Sequence, residues 1–253
     1  MDVTTGNDGL VDTTAAIAEI VDSLDGLPTF PPSLYIDLEG DNLSRHGTLD
    51  ILQLHVLPSD RTYLIDIKVL RHNAFSTPGT CGFTFKDLLE SPDIPKVFFD
   101  VRSDSDALYR HFQIKLAGVQ DLQLMELAKR PLGRKRLVSG LGKCIEYDAS
   151  LTLLEKVAWK ADKAKGISLF DPKRGGSYKV FSERPLRQDI KEYCIQDTKY
   201  LPHLWAIYDK KLTPAWKIRV CEATKARVAE SQAPNFNPVG RHMSLAPTSW
   251  QRL

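Results

Sequence analysis

Residues 34–40, with the sequence LYIDLEG, decide the predicted fold. Side chains alternate between two faces of a β-strand, so the three aliphatic residues share one face while Asp37 and Glu39 share the other. Two carboxylates on one face repel each other unless a cation lies between them, and a hard divalent cation such as Mg²⁺ takes oxygen ligands. The stretch therefore predicts a buried strand that bears either a metal site or, alternatively, two acids at a solvent-exposed strand end.

Further strands are predicted on both sides of this pattern along the chain. Residues 49–57 and 62–67 read as strands, and the turn at 58–60 makes them an antiparallel pair. Residues 96–100 and 119–122 are short strand candidates, each followed by a helical pattern. This alternation predicts an α/β fold: a mixed sheet of about five strands, one of them antiparallel, flanked by helices on both faces.

Composition places the chain among soluble globular proteins. Of its 253 residues, 42% are hydrophobic and 26% are charged, which is ordinary for that class. No apolar run approaches the ~18 residues of a membrane span, and the polar, acidic start is unlike a secretory signal. The four cysteines are far apart without a CxxC pair, which indicates a reducing compartment. We therefore expect a cytoplasmic or nuclear protein that is neither secreted nor bound to a membrane.

The net charge of +2 conceals an uneven distribution. Residues 1–50 contain ten acids and one base, so the remainder carries a net charge of +11. Residues 129–143 contain six bases and no acid. A basic body with a local acidic cluster is typical of a protein that binds a polyanion, although a solvated loop explains the basic stretch equally well.

A second acidic candidate lies where a strand gives way to a helix. Asp104 follows the strand-like segment 96–100, and sites in α/β sheets form at such strand ends. Asp100 and Asp106 compete for the same role. Each acid here also fits a helix cap, since the helix dipole favours Asp in the first turn.

The third candidate is a pair of residues on a late helix, in the stretch YCIQD. Tyr193 and Asp197 are four residues apart, so on a helix they address one site. The alternative is a helix that packs Tyr193 and exposes Asp197.

In this order, the motifs resemble the DEDD 3′–5′ exonucleases, which include ribonuclease D, the Werner-syndrome exonuclease domain and the proofreading domain of DNA polymerase I. The resemblance covers residues 30–210. Residues 49–54 resemble the family's second strand. Residues 181–186 resemble its W-x-x-RPL motif, although Phe181 replaces the tryptophan. Glu192 stands where the histidine subtype has its histidine, so Tyr193 indicates the tyrosine subtype.

The resemblance implies a ribonuclease H-like fold and a two-metal mechanism. Two divalent ions, Mg²⁺ or Mn²⁺, would be held by Asp37, Glu39, Asp104 and Asp197, with Asp37 bridging both and Tyr193 orienting the attacking water. The implied substrate is single-stranded RNA or DNA with a free 3′ end, RNA being favoured, and the products are 5′-nucleoside monophosphates. An RNA-binding adaptor on the same fold is the alternative, as in some relatives of the Egalitarian group that have lost carboxylates.

Substrate contacts follow from the same resemblance. Backbone at Leu38 and Gly40 would contact the terminal sugar, while His46, Lys143 and Arg184 would reach phosphates. A turn explains His46 as well, and surface solubility explains the basic side chains as well.

The domain limits are predicted from composition and motif positions. We expect an acidic N-terminal segment and helix over residues 1–29, an exonuclease domain over 30–231 and a flexible, proline-containing tail over 232–253. Residues 1–9 are expected to be disordered. The loops 71–95 and 129–143 depart from ribonuclease D, and the tail is a candidate site for a protein partner. The sequence does not determine the oligomeric state.

Overall fold

The strand that carries Asp37 and Glu39 belongs to a six-stranded sheet in the computed structural model, which describes residues 10–251. The strands are β1 Leu10–Val11, β2 Leu34–Glu39, β3 Ile51–Val56, β4 Arg61–Asp66, β5 Lys96–Phe98 and β6 Val119–Asp121. Their order is β1-β4-β3-β2-β5-β6. β3 is antiparallel to both of its neighbours, whereas the other neighbouring pairs are parallel. The predicted mixed sheet with one antiparallel strand is thus confirmed, with one strand more than expected.

Helices cover both faces of this sheet, as the sequence predicts. The aliphatic side chains of β2 are buried in a core with residues of the first, fourth and fifth helices, and Tyr35 on the opposite face is buried with residues of the sixth and tenth. Each fully buried aliphatic side chain stabilises the folded state by about 1.5–3 kcal/mol relative to the same side chain exposed to water. The helices are α1 Thr14–Ser23, α2 Ile67–Leu70, α3 Asn73–Ser76, α4 Phe85–Glu90, α5 Arg102–Phe112, α6 Leu122–Lys129, α7 Leu141–Asp148, α8 Leu153–Phe170, α9 Gln188–Lys199, α10 Leu201–Lys211 and α11 Pro214–Gln232.

The first helix starts later than its periodicity predicts. The sequence predicts one helix over residues 10–24, but Leu10 and Val11 form β1 beside β4. The helix begins at Thr14, because the Thr13 hydroxyl accepts a hydrogen bond from the backbone N–H of Ala16. The expected disorder of residues 1–9 lies outside the described residues.

The sequence predicts one continuous helix over residues 186–208, but the structure divides it in two. α9 ends at Lys199 and α10 begins at Leu201, with Pro202 in the first turn of α10. Proline fits a first helical turn because its missing N–H has no intrahelical partner there, whereas inside a continuous helix it would break a hydrogen bond.

The segment after α11 packs against the body of the protein. Trp250 is buried, and its ring centroid lies 5.1 Å from that of Trp216. Leu245 forms a β-bridge with Leu137. The sequence predicts a flexible tail over residues 232–253. In the structure the described part differs, because its apolar residues Ala246 and Trp250 join a core that periodicity does not reveal.

Three of the six basic side chains in residues 129–143 make ion pairs or hydrogen bonds within the protein. The buried ammonium of Lys135 donates to the carbonyl of Leu127 at 3.0 Å, at the end of α6. Arg130 pairs with Glu126, and Lys129 pairs with Asp148 at 2.6 Å. Three bases remain exposed to solvent: Arg134, Arg136 and Lys143.

Candidate active site

Two segments far apart in sequence bring carboxylates together at the sheet. Asp37 and Glu39 share the face of β2 on which α9 packs. On α9, Tyr193 and Asp197 lie one turn apart and are buried, with exposed fractions of 7% and 4%. One carboxylate oxygen from each of Asp37, Glu39 and Asp197 lies within 4.8 Å of the others. Asp197 is therefore not the exposed residue of the alternative interpretation.

This convergence brings several negative charges together where water solvates them poorly, which disfavours the ionised carboxylates. Burial, and then the charge of Asp197, raise the pKa of Asp37 to about 7. Burial, and then the charge of Asp37, raise the pKa of Glu39 as well. Both carboxylates ionise more readily once a cation lies beside them.

The residues present fit a hard divalent cation. The three converging side chains offer only oxygen donors, which Mg²⁺ and Mn²⁺ prefer. Gln53 is the cross-strand neighbour of Asp37; it is fully buried, and neither amide atom has a partner within residues 10–251. An unpartnered buried amide opposite Asp37 fits a polar site whose partners the protein alone does not supply.

The contacts of the three aspartates near α5 distinguish between them. Asp100 accepts hydrogen bonds from the Arg102 guanidinium at 2.6 Å, and Asp106 pairs with Arg45 at 2.7 Å. Asp104 is buried, and no cation of the described residues pairs with it. Burial, and then the charge of Asp37, raise the pKa of Asp104. Asp104 thus faces the acidic centre, although it lies outside the tight group of three.

Tyr193 is held by an aromatic cluster. Its ring centroid lies 5.0 Å from that of Phe170 and 6.3 Å from that of Phe181, the residue that replaces the family's tryptophan. Burial, and then the charge of Asp197, raise the pKa of Tyr193 well above its usual value. The phenol therefore stays protonated near neutral pH and can position a water molecule, while it is a poor base.

Sequence reasoning missed Lys163. The sequence predicts a helix over residues 151–159, but α8 continues to Phe170. The extension brings Lys163 into the site, where its ammonium pairs with Asp197 and donates to the Tyr193 hydroxyl at 3.1 Å. The recurrence of Trp159, Lys163 and Gly166 at helical spacing is the signal that could have revealed it.

Arg184 has a structural role in the fold. Its guanidinium pairs with the buried Asp66 at 2.5 Å and donates to the carbonyls of Phe181, Glu183 and Asp50. Beside it, the Ser182 hydroxyl donates to the Asp50 carboxylate. The contacts of Arg184 therefore hold the segment before α9 against the end of β4. This fixes the position of α9, which carries Tyr193 and Asp197. This use of all its donors replaces the predicted phosphate contact.

The other predicted substrate residues lie around the end of β2 or on the surface. The Leu38 side chain is buried in the core, and Gly40 is required sterically because a Cβ there would lie 2.2 Å from the Thr48 carbonyl oxygen. His46 and Lys143 are exposed. Their contacts with substrate remain predictions.

A family model described as 3′-5′ exonuclease matches residues 10–213, which is most of the chain. The chain belongs to this 3′–5′ exonuclease family. The motif order from Asp37 to Asp197 therefore identifies the correct family, whose members are hydrolases.

Relatives of this exonuclease domain share its fold at low identity. RNase D of Trypanosoma brucei, solved in complex with RNA U12, is 22% identical with a TM-score of 0.73, covering 96% of this chain and 77% of that chain. RNase D of Escherichia coli is 18% identical with a TM-score of 0.58, covering 90% and 51%. NrnC of Brucella melitensis with bound Mg²⁺ is 19% identical with a TM-score of 0.54, covering 85% and 96%.

Among curated proteins, the piRNA biogenesis protein EXD1 of Bombyx mori is 25% identical over 178 residues. The match covers 69% of this chain, which spans about half the length of that relative. Across residues 10–251, no helix combines the length and apolar character of a membrane span.

Proposed function

We propose that this exonuclease domain hydrolyses single-stranded nucleic acid from a free 3′ end, with RNA as the favoured substrate, and releases 5′-nucleoside monophosphates. The observation that carries the proposal is the approach of Asp37, Glu39 and Asp197 to within 4.8 Å, because these carboxylates come from segments far apart in the sequence. An RNA-binding adaptor gains nothing from such a cluster, since it repels phosphate. The RNA-bound RNase D relative and the piRNA biogenesis relative support the choice of RNA.

In this proposal the acidic side chains hold two divalent ions, Mg²⁺ or Mn²⁺. Asp37, Glu39 and Asp197 would hold one, and Asp37 with Asp104 the other. The chemistry supplied there when the ions are bound is activation of water and neutralisation of charge at the scissile phosphate. The Tyr193 hydroxyl donates a hydrogen bond that orients the attacking water, because its raised pKa keeps it protonated.

Backbone atoms at the end of β2 would recognise the terminal nucleotide. The backbone of Leu38 lies between the two carboxylates of β2, and Gly40 keeps the chain close to Thr48. His46 and Lys143 are exposed and would contact phosphates further along the strand. Because such contacts release counterions, the affinity for RNA should fall as salt rises.

The proposal includes a reducing compartment, the cytoplasm or the nucleus. It is supported by the four cysteines, all of which are free thiols. A protein partner would bind the tail between residues 234 and 242, which is largely exposed, rather than at the buried Trp250.

The experiment gives 5′-labelled single-stranded RNA and DNA to the full chain with Mg²⁺ or Mn²⁺, beside Asp37→Ala and Tyr193→Phe. We expect a ladder that shortens from the 3′ end and disappears in EDTA. Asp37→Ala should reduce the rate at least about 100-fold, because an ion position is lost. Tyr193→Phe should reduce it about tenfold or more while leaving RNA binding unchanged. RNA binding without shortening under either metal would instead establish the adaptor.

A further inference from the structure

One stripe of α8 faces the body of the protein while most of the helix is exposed. Trp159, Lys163 and Gly166 recur at helical spacing along this stripe. The Lys163 ammonium pairs with Asp197, donates to the Tyr193 hydroxyl at 3.1 Å and lies 4.4 Å from the centroid of the Tyr193 ring. Its side chain is only 16% exposed, so this cation belongs to the site rather than to the surface.

We propose that Lys163 is a positioning residue that serves as the internal counter-cation of the acidic centre. It holds Asp197 and Tyr193 in place, and it has to release Asp197 when a divalent cation binds. The inference rests on the proposed function, because it takes Asp197 as a metal ligand.

The Lys163 ammonium and a bound divalent ion would compete for Asp197, because both would lie close to the same carboxylate. One carboxylate oxygen from each of Asp37, Glu39 and Asp197 lies within 4.8 Å of the others, so these oxygens enclose space for one small cation. The Oδ1 atom of Asp197 is already engaged by Lys163. A divalent ion at this position meets the like charge of the ammonium, and this repulsion is strong in a poorly solvated site.

The side chain is able to leave. A lysine carries its charge on a flexible four-carbon stem, and the flanking α8 residues Lys160 and Ala164 are exposed to solvent. Tyr193 keeps independent support after such a release, because Phe170 and Gly166 pack against its ring. Movement of Lys163 would thus open the metal position without dismantling the site.

The test measures Mn²⁺ binding to the full chain by isothermal titration calorimetry. Lys163→Met and Lys163→Gln remove the charge, and Lys163→Arg keeps it. Lys160→Met, one turn earlier on the same helix, removes an exposed lysine that pairs with Glu146 and serves as the matched control. We expect both neutral variants to bind Mn²⁺ about tenfold more tightly than wild type, with a larger thermal shift on Mn²⁺ addition. Lys163→Arg and Lys160→Met should bind as wild type does.

Two results would overturn the inference in distinguishable ways. If wild type binds Mn²⁺ and the neutral Lys163 variants bind it equally or more weakly, Lys163 is not a competing cation, and the proposed nuclease function stands. If wild type and all variants fail to bind Mn²⁺ and Mg²⁺, the metal-dependent function is wrong and the inference fails with it.

Discussion

The backbone of Gly166 lies against the ring of Tyr193: a Cβ at Gly166 would stand 2.2 Å from Cδ2 of that ring. Glycine lowers the stability of a helix interior by about 1 kcal/mol relative to alanine. Its presence in the middle of α8 is therefore explained by this close approach, which sets the position of the phenol beside Asp197.

Gly166→Ala should consequently lower both stability and nuclease activity. The clash displaces Tyr193 or α8, and we expect overpacking of about 1–3 kcal/mol to exceed the gain in helix propensity. Urea denaturation and the exonuclease assay measure the two effects. Gly142→Ala is the matched control, because its Cβ would meet only Cη2 of Trp159 at an ordinary 3.6 Å. Equal stability and activity in both variants would contradict the proposed role of Gly166.

Arg184→Ala should act on stability rather than on phosphate binding. The substitution leaves Asp66, which is 1% exposed, as a buried unpaired charge, and we expect a loss of about 3–5 kcal/mol in urea denaturation. Adding Asp66→Asn should restore part of the loss, because the unpaired charge is removed. The slope of log affinity for RNA against log salt should stay unchanged. A slope reduced by about one, with stability intact, would instead establish a phosphate contact.

The raised pKa of Asp37 predicts a pH-dependent stability in EDTA. The folded protein holds this proton up to about pH 7, whereas the ordinary pKa is 3.8. The stabilisation is therefore fully present below about pH 4 and is lost as pH rises through 7. The free energy of unfolding of wild type, minus that of Asp37→Asn, should fall between pH 5 and 7.5.

The subtraction removes the contributions of groups outside the acidic centre that titrate in this range. Burial lowers the pKa of His55, and burial lowers the pKa of Lys96 to about 7, so both favour the folded state at higher pH. Both groups are common to the two proteins, and their contributions cancel. A difference that stays flat across the range would show that Asp37 is not strained by burial and by Asp197.

Trp250→Ala should destabilise the protein by about 3 kcal/mol, because a large buried ring packed on Trp216 is lost. Val239→Ala, at a side chain that is 74% exposed in the same tail, is the control and should change stability little. Urea denaturation followed by circular dichroism provides the comparison. If both variants unfold at the same urea concentration, the tail is as flexible as its composition predicts.

Two predictions from local spacing agree with the structure. Alternation along β2 placed Asp37 and Glu39 on one face, and the four-residue interval on α9 placed Tyr193 with Asp197. Both follow from backbone periodicity, which a strand or a helix imposes wherever it lies. The order of these motifs was sufficient to identify the family.

Which cation pairs with which carboxylate could be read only from the tertiary structure. Spacing alone leaves Asp100, Asp104 and Asp106 as competitors, and the family resemblance favours Asp104. Only the fold shows that Arg102 and Arg45 engage the first and the last. The sequence predicts a phosphate contact for Arg184, whereas in the structure its guanidinium pairs with Asp66.

By itself, then, the sequence determined the mixed character of the sheet, the exonuclease family and which acids share a face, because these follow from short-range periodicity and motif order. Only the tertiary structure decided which acid remains unpaired, that Lys163 enters the acidic centre and that the C-terminal tail is packed. The physical reason is that ion pairing and burial depend on distances through space between segments far apart in the chain, and these distances exist only once the chain has folded.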